Sequence, residues 1–221
     1  TTEDPDNMTL KELAVYATRL MSKSNFVEIS KEEANTRKLI QQHLNQRNWN
    51  SVLQISETLT VKDSTYFTWR ARAYKELNQL DAAILELHKG LQTNPNHSLL
   101  LYLIADMYVQ LRDWENALKY FKETLNSGIT CFPRFFVLVS MLEALENLHE
   151  YDQFLDVTQE LEQTCTVDSA VAVALFLRAK ILCSCLRFRE AAQVLDKLEL
   201  DSQRNRFLSK AAIQNLRKSI Q

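Results

Sequence analysis

The sequence predicts an all-α protein: a right-handed solenoid of stacked antiparallel helix pairs, about ten to twelve helices in all. Three observations predict it. The 221 residues contain only two glycines and three prolines. The segment 64–97 matches the segment that follows it, 34 residues on. Apolar residues recur at helical spacing through most of the chain.

Glycine is the informative count. Average usage of roughly 7% would give about fifteen, and this chain has Gly90 and Gly128 alone. Phosphate-cradling loops, tight β-hairpins and strained catalytic turns draw on glycine for its access to positive φ. Helices and short connections do not. The scarcity therefore argues against P-loop and dinucleotide-binding enzymes.

Hydrophobic residues make up 46% and charged residues 24%, with a formal net charge of −2. Nothing in that balance pulls the chain onto nucleic acid or an anionic membrane. No apolar run approaches about 18 residues, so no spanning helix is expected. The acidic, polar start Thr1-Thr2-Glu3-Asp4-Pro5-Asp6-Asn7 is neither a signal nor a transit segment, and the missing initiator methionine points to a domain cut from a longer chain. The four cysteines, Cys131, Cys165, Cys183 and Cys185, form no CxxC pair. They read as small buried apolar residues in a reducing compartment, the cytoplasm or nucleus.

The repeat is the strongest signal. Shifting by 34 brings Ala71 onto Ala105, Tyr74 onto Tyr108, Leu77 onto Leu111 and Leu80 onto Trp114. It also brings Ala83 onto Ala117, Ile84 onto Leu118 and Leu91 onto Leu125. Each copy splits into two helical stretches. Phe67, Ala71, Tyr74 and Leu77 line one face of the first, and Leu80, Ala83, Ile84, Leu87 and Leu91 line the second. Asn94-Pro95-Asn96 stops the pair, because proline cannot continue a helix. Leu101, Ala105, Tyr108 and Leu111, then Trp114, Ala117, Leu118, Phe121 and Leu125, repeat the arrangement up to Asn126-Ser127-Gly128.

These positions resemble the tetratricopeptide repeat (TPR) family. That pattern wants small residues at the eighth and twentieth positions, here Ala71, Ala105, Ala83 and Ala117. It wants bulky ones at the eleventh and twenty-fourth, here Tyr74, Tyr108, Leu87 and Phe121. Small residues let paired helices approach, and large ones fill the groove between pairs. Phe67 and Leu101 stand where the family has tryptophan.

Weaker copies flank the strong two. Upstream, Leu39, Ile40 and Leu44 precede Trp49, Val52 and Leu53, in a unit about three residues short. Downstream, Phe135, Leu138, Val139, Leu142 and Leu145 precede Tyr151, Phe154 and Leu155. There the first helix is expected to run about three residues long, and Phe154 stands where the family prefers alanine. Leu175, Ala179 and Leu182, then Phe188, Ala191, Ala192 and Leu195, form a last pair. Thr9-x-x-Glu12 and Ser30-x-x-Glu33 are capping boxes at helix starts. The resulting organisation is a disordered tail over 1–8, an N-terminal capping helix over 9–32, repeats over 33–198 (strongest over 64–97 and 98–131), and a C-terminal capping helix over 199–221. Within the last segment, 203–220 reads as helical.

No catalytic, metal or cofactor site is expected. His43, His88, His97 and His149 show no i, i+4 pairing and no HExxH context, with His88 expected on an exposed helix face. No GxSxG or Gly-rich phosphate loop occurs. Trp49 and Trp114 match a packing position, whereas Trp69 falls at a helix edge. Arg70, Arg72 and Lys75 make a short basic strip, expected on a solvated face, and Arg204, Arg206, Lys210, Arg217 and Lys218 another. One charge anomaly stands out: Phe135 to Leu177 has no Lys or Arg, yet it carries Glu143, Glu146, Glu150, Asp152, Asp156, Glu160, Glu162 and Asp168. An acidic face with no internal counter-charge suits a basic partner segment.

The resemblance also implies where a partner sits, since inner-groove contacts in the family come from the second, fifth, ninth and twelfth positions. In the two strong copies these are Thr65, Thr68, Arg72 and Lys75, then Leu99, Tyr102, Asp106 and Val109. In the next unit they are Pro133, Phe136, Ser140 and Glu143, and in the last Val173, Phe176, Lys180 and Cys183. So many apolar residues on one face call for a cover: a partner helix, an extended peptide or the chain's own terminal helix. The chaperone-binding carboxylate clamp is not matched, because Trp69, Leu99 and Leu103 hold its positions. The function implied is a non-enzymatic interaction scaffold or adaptor, a subunit of a multiprotein complex. The alternatives are a self-associating homo-oligomer and an RNA- or DNA-associated helical-repeat protein.

Overall fold

A computed structural model describes residues 30–128, 133–201 and 207–220. The expected helix near 9–23, its Thr9 capping box, Cys131 and the basic pair Arg204 and Arg206 lie outside those residues. All regular structure among the described residues is helical. The helices are α1 Lys31–Asn45, α2 Trp49–Ser56, α3 Ser64–Glu76, α4 Leu80–Thr93, α5 Ser98–Gln110 and α6 Trp114–Asn126. They continue with α7 Arg134–Asn147, α8 Tyr151–Thr164, α9 Asp168–Ser184, α10 Phe188–Leu200 and α11 Lys210–Lys218. Two compact units divide them, α1–α6 in one and α7–α11 in the other.

A single backbone device makes every pair. Each first helix ends on a residue in the left-handed conformation: Arg47, Asn78, Arg112, His149 and Leu186, with φ of 58–59°. The next amide then donates back to a carbonyl of the last helical turn, as Asn48 does to His43 at 2.9 Å and Arg187 to Leu182 at 2.8 Å. The left-handed residue itself donates one turn further on, as Asn78 does to Lys75 at 2.9 Å. These two hydrogen bonds satisfy carbonyls that a helix end leaves orphaned, and they reverse the chain in three residues. Glycine is the residue that takes such a φ without strain, yet none of the five is glycine. The low glycine count therefore does not mean an absence of left-handed turns. It means that four side chains other than Asn78 are held in them at a conformational cost.

Aligned on these turns, the repeats are spaced 31, 34, 37 and 37 residues apart. The short first spacing comes from α2, which has 8 residues where α4 has 14. The long third spacing does not come from a longer first helix: α7 has 14 residues against 13 in α5. The additional length lies in the connection that ends at Pro133. The terminal helix is also shorter than 203–220, because Phe207 and Leu208 precede it in a turn and α11 begins at Lys210.

In the first unit, Ile40, Val52, Phe67, Ala71, Ala83, Leu87, Leu100 and Ile104 form one core, with Trp49, Trp69, Tyr74 and Tyr108 packed around it. The small residues at the eighth and twentieth positions are closed off, with Ala71 at 1% exposure and Ala83, Ala105 and Ala117 at 0%. Gly90 belongs to the same logic. A Cβ built there would stand 2.7 Å from Leu100 Cδ1 and 3.0 Å from the Phe67 ring. In the second unit Phe154 is fully buried despite standing where the family has alanine. The same unit buries Ala144, Ala170, Ala172 and Ala174 at 0%. Ile213, Leu208 and Leu216 bring α11 onto Leu195 and Leu198 of α10, and Arg217 fastens it to Asp196 at 2.7 Å and Glu199 at 2.9 Å. The cysteines are less enclosed than expected: Cys165, Cys183 and Cys185 are half-buried and none is in a disulfide among the described residues.

Two substitutions test these turns and contacts by chemical denaturation. Leu186→Gly removes left-handed strain from a side chain that is 74% exposed. It is expected to raise stability by about 0.5–1 kcal/mol after the entropic cost of glycine, where the same change at a mid-helix surface position such as Gln193 lowers it. Gly90→Ala would gain about 1 kcal/mol on helix propensity alone. Because its methyl group has no room, a net loss of about 1–2 kcal/mol is expected.

Candidate functional site

The turn residues define a common register, and with it the side that the first helices present. Counted back from Asn78 and Arg112, the ninth and twelfth positions are Arg72 and Lys75 on α3, and Asp106 and Val109 on α5. Counted from Leu186, they are Lys180 and Cys183 on α9. Counted from His149, they are Glu143 and Glu146 on α7. This last register corrects the sequence reading by three residues, which placed Ser140 and Glu143 there. The turn, and not the helix start, sets the frame, and the additional length before α7 shifts everything counted from the start.

Two ion pairs follow this frame. Lys75 Nζ lies 2.7 Å from Asp106 Oδ2, joining the twelfth position of α3 to the ninth of α5. Lys180 Nζ lies 2.6 Å from Glu146 Oε1, joining the ninth position of α9 to the twelfth of α7. The two links occupy the same place in the repeat with opposite polarity. Gln110 donates a further bond to Asp106 at 3.0 Å. Arg72 is exposed, with its guanidinium carbon 5.8 Å from the centre of the Trp49 ring.

The remaining expected contact residues divide by exposure. Tyr102 and Val109 are half-buried on α5, the Tyr102 ring 5.8 Å from that of Phe121. Phe136, Val173 and Phe176 are half-buried too, and Phe176 leans on the second unit's core. Thr65 and Thr68 are half-buried on α3. Leu99 is only 7% exposed and belongs to the interior instead. Ser140 turns its hydroxyl back to the Phe136 carbonyl at 3.0 Å.

The acidic stretch is less naked than its sequence suggests, because neighbouring segments supply its counter-charges. Arg134 reaches Glu160 at 2.7 Å, Lys180 reaches Glu146, and Arg178 and Lys197 both reach Glu162. Glu150 accepts from Gln153 at 2.9 Å, and Asp152 lies near enough to Arg187 to act on its charge. Glu143 and Asp156 have no ion-pair partner among the described residues.

Two buried charge clusters were not legible in the sequence. Arg70, read as part of a solvated strip, is 7% exposed. Its Nε donates to Glu86 at 2.9 Å, and its other nitrogens reach the Leu53 carbonyl at 3.1 Å, the Ser56 hydroxyl at 3.0 Å and the Tyr74 hydroxyl at 3.2 Å. Lys89 takes the second Glu86 oxygen at 2.6 Å. A shallow recess of ≈ 450 Å³ opens beside this cluster, with Lys62, Tyr66 and Gln92 on its walls. Burial pushes the Glu86 carboxyl up, and the bonds from Lys89 and Arg70 more than reverse it, leaving its pKa below the usual value. In the other cluster the capping box at Ser30 is half realised. Ser30 accepts from the Glu33 amide at 3.1 Å, but the Glu33 carboxylate turns away to Thr60, the Val61 amide and Arg37. The Thr60 hydroxyl is foremost in holding Glu33 below its usual range. His88, expected on an exposed face, is half-buried edge-on to Tyr120 with ring centres 5.8 Å apart. Burial lowers the pKa of both His88 and His97.

No group of three or more His, Cys, Asp or Glu among the described residues is placed to hold a metal ion. No helix among them is long and apolar enough to cross a membrane.

No family model matches the chain, and no curated protein does. Solved structures do. A point mutant of MamA superimposes with a TM-score of 0.62 at 17% identity, over 82% of this chain and 96% of that one. YrrB, a TPR protein with an unusual peptide-binding site, superimposes with a TM-score of 0.54 at 13% identity, over 72% and 84%. The Naa15/Naa10 complex bound to HypK-THB gives 0.50 at 12% identity, over 86% of this chain and 34% of the matched one. At these identities the likeness is one of fold: the chain has the helix-pair architecture of TPR proteins.

The buried clusters predict two measurements. Arg70→Met leaves the buried Glu86 carboxylate with Lys89 alone and is expected to cost about 3 kcal/mol, much of which returns in Arg70→Met/Glu86→Leu; denaturant unfolding checks both. His88, His97, Glu33 and Glu86 all bind protons more readily in the unfolded chain. Stability is therefore expected to be full above pH 6.5, to fall below it as the histidines charge, and to fall more steeply below 4.5 as the carboxylates protonate. Thermal melts across about pH 3–8 read this, with Glu33→Gln and Glu86→Gln flattening the acid limb.

Proposed function

We propose that this chain is a non-enzymatic protein-interaction scaffold that binds a partner helix or an extended peptide along the faces of its first helices, as one subunit of a multiprotein assembly. One observation carries the reading. In each unit the first helices keep aromatic or aliphatic side chains half-exposed beside charges held in register. Tyr102 and Val109 accompany the Lys75–Asp106 link, and Phe136 and Phe176 accompany Glu146–Lys180. A half-exposed apolar strip with ordered charges beside it suits a peptide better than water. The TPR-like neighbours, one with a peptide-binding site and one within a complex, support the reading by analogy of fold. In the same reading, residues 33–198 carry the interaction surface between terminal helices, and three cysteines outside any disulfide among the described residues suit the reducing cytoplasm or nucleus.

Random-peptide display on the folded chain tests this. A selected peptide titrated into isotope-labelled protein is expected to shift amides of the first helices α3, α5, α7 or α9. Val109→Glu is expected to weaken binding on the first unit about tenfold or more with helicity intact. Shifts confined to α4, α6, α8 or α10, or selection of no peptide, would sink the proposal.

A further inference from the structure

All four ninth-position residues in the repeats from α3 to α9 are charged: Arg72, Asp106, Glu143 and Lys180. Two of them are spoken for. Asp106 is held by Lys75 and Lys180 by Glu146, in each case by the twelfth-position residue of the other first helix in the pair. These links, partly exposed, join one first helix to the next and order the helices. The other two are differently placed. The twelfth position before Arg72 is Leu44, which is apolar and 3% exposed, so no carboxylate comes from α1. Glu143 is exposed and makes no ion pair among the described residues. Arg72 is exposed, and its guanidinium carbon lies 5.8 Å from the centre of the Trp49 ring, a contact that restricts the side chain.

Resting on the scaffold reading, we infer that Arg72 and Glu143 are the charges that select what each unit binds. Arg72 pairs with the carboxylate of an acidic residue in a peptide segment on the first unit. Glu143 pairs with a lysine or arginine in a segment on the second. A planar guanidinium favours a two-pronged carboxylate contact. An exposed carboxylate that makes no ion pair among the described residues favours a cation of either kind. The clasped charges, Asp106 and Lys180, contribute order and little selectivity.

The test is peptide display repeated on wild type, Arg72→Glu and Glu143→Lys, with sedimentation of the chain alone. Both positions are exposed, so the variants are expected to keep wild-type helicity. Peptides that shift α3 and α5 are expected to share an acidic residue, and peptides that shift α7 and α9 a basic one. Arg72→Glu is expected to exchange the acidic preference for a basic one, and Glu143→Lys to do the converse. A wild-type peptide is expected to lose affinity about tenfold or more on reversal of its own site and to regain it when its charge is swapped. Recovery of the same peptides from all three proteins would overturn the inference. A chain that dimerises, and whose dimer dissociates on Arg72→Glu, would overturn it too, by placing a second copy there. If peptides shift the first-helix amides without charge preference, this inference fails and the scaffold reading survives; if those amides do not move, both fail.

Discussion

Everything in this molecule follows from the way each first helix ends. A residue forced to positive φ, with two amides turned back onto the helix it closes, reverses the chain within three residues. That reversal brings the alanines of the eighth and twentieth positions face to face. In the α3, α5 and α9 pairs those alanines are buried at 0–1% exposure, whereas the α7 pair buries Phe154 at the twentieth position. Close approach in turn lets aromatic and long aliphatic side chains reach from one pair to the next and build the core. The pair is therefore the unit of construction, and the turn is its hinge point.

The cores alone do not explain the buried charges. Arg70 and Glu86 sit within an otherwise apolar layer, with every strong hydrogen-bonding demand of Glu86 met by Arg70 and Lys89. Glu33 is handled in the same way by Thr60, Val61 and Arg37. Each cluster ties the loop between α2 and α3, or the end of α2, to a helix on either side of it. Since α2 has only 8 residues and little apolar surface to offer, polar clasps supplement its packing. Charges buried in this manner cost desolvation energy and return it only when the whole set is in place, so they favour one arrangement of helices over near alternatives.

The pairing of helices could be read from the sequence because it rests on alanines, aromatics and helical periodicity, all of which are local and recur. The strong copies over 64–131 were legible for that reason. The turns were not, because Arg47, Arg112, His149 and Leu186 carry no mark of positive φ; only Asn78 does. The third-unit register was misplaced for the same reason, since helix starts are variable and the turn that fixes the count was invisible. Arg70 looked like its exposed neighbour Arg72, because burial of a charge depends on a glutamate 16 residues away in sequence. The acidic stretch seemed unopposed because its counter-charges lie outside it in sequence, Arg134, Arg178 and Lys180 just beyond its ends and Lys197 on α10.

The two links between first helices have a consequence for how such an array can change. In one, the cation comes from the twelfth position and the anion from the ninth; in the other the signs are exchanged. Repeats of a solenoid are often pictured as interchangeable tiles. Here they are not. A copy of the α5 pair inserted after α7 would set Asp106 against Glu146, and a copy of the α9 pair inserted after α3 would set Lys180 against Lys75. Like charges at that distance disfavour the junction. Each repeat thus carries in one charge a record of which neighbour it follows, so that shuffling, duplication or loss of a pair is resisted at the seam even where the apolar pattern would allow it.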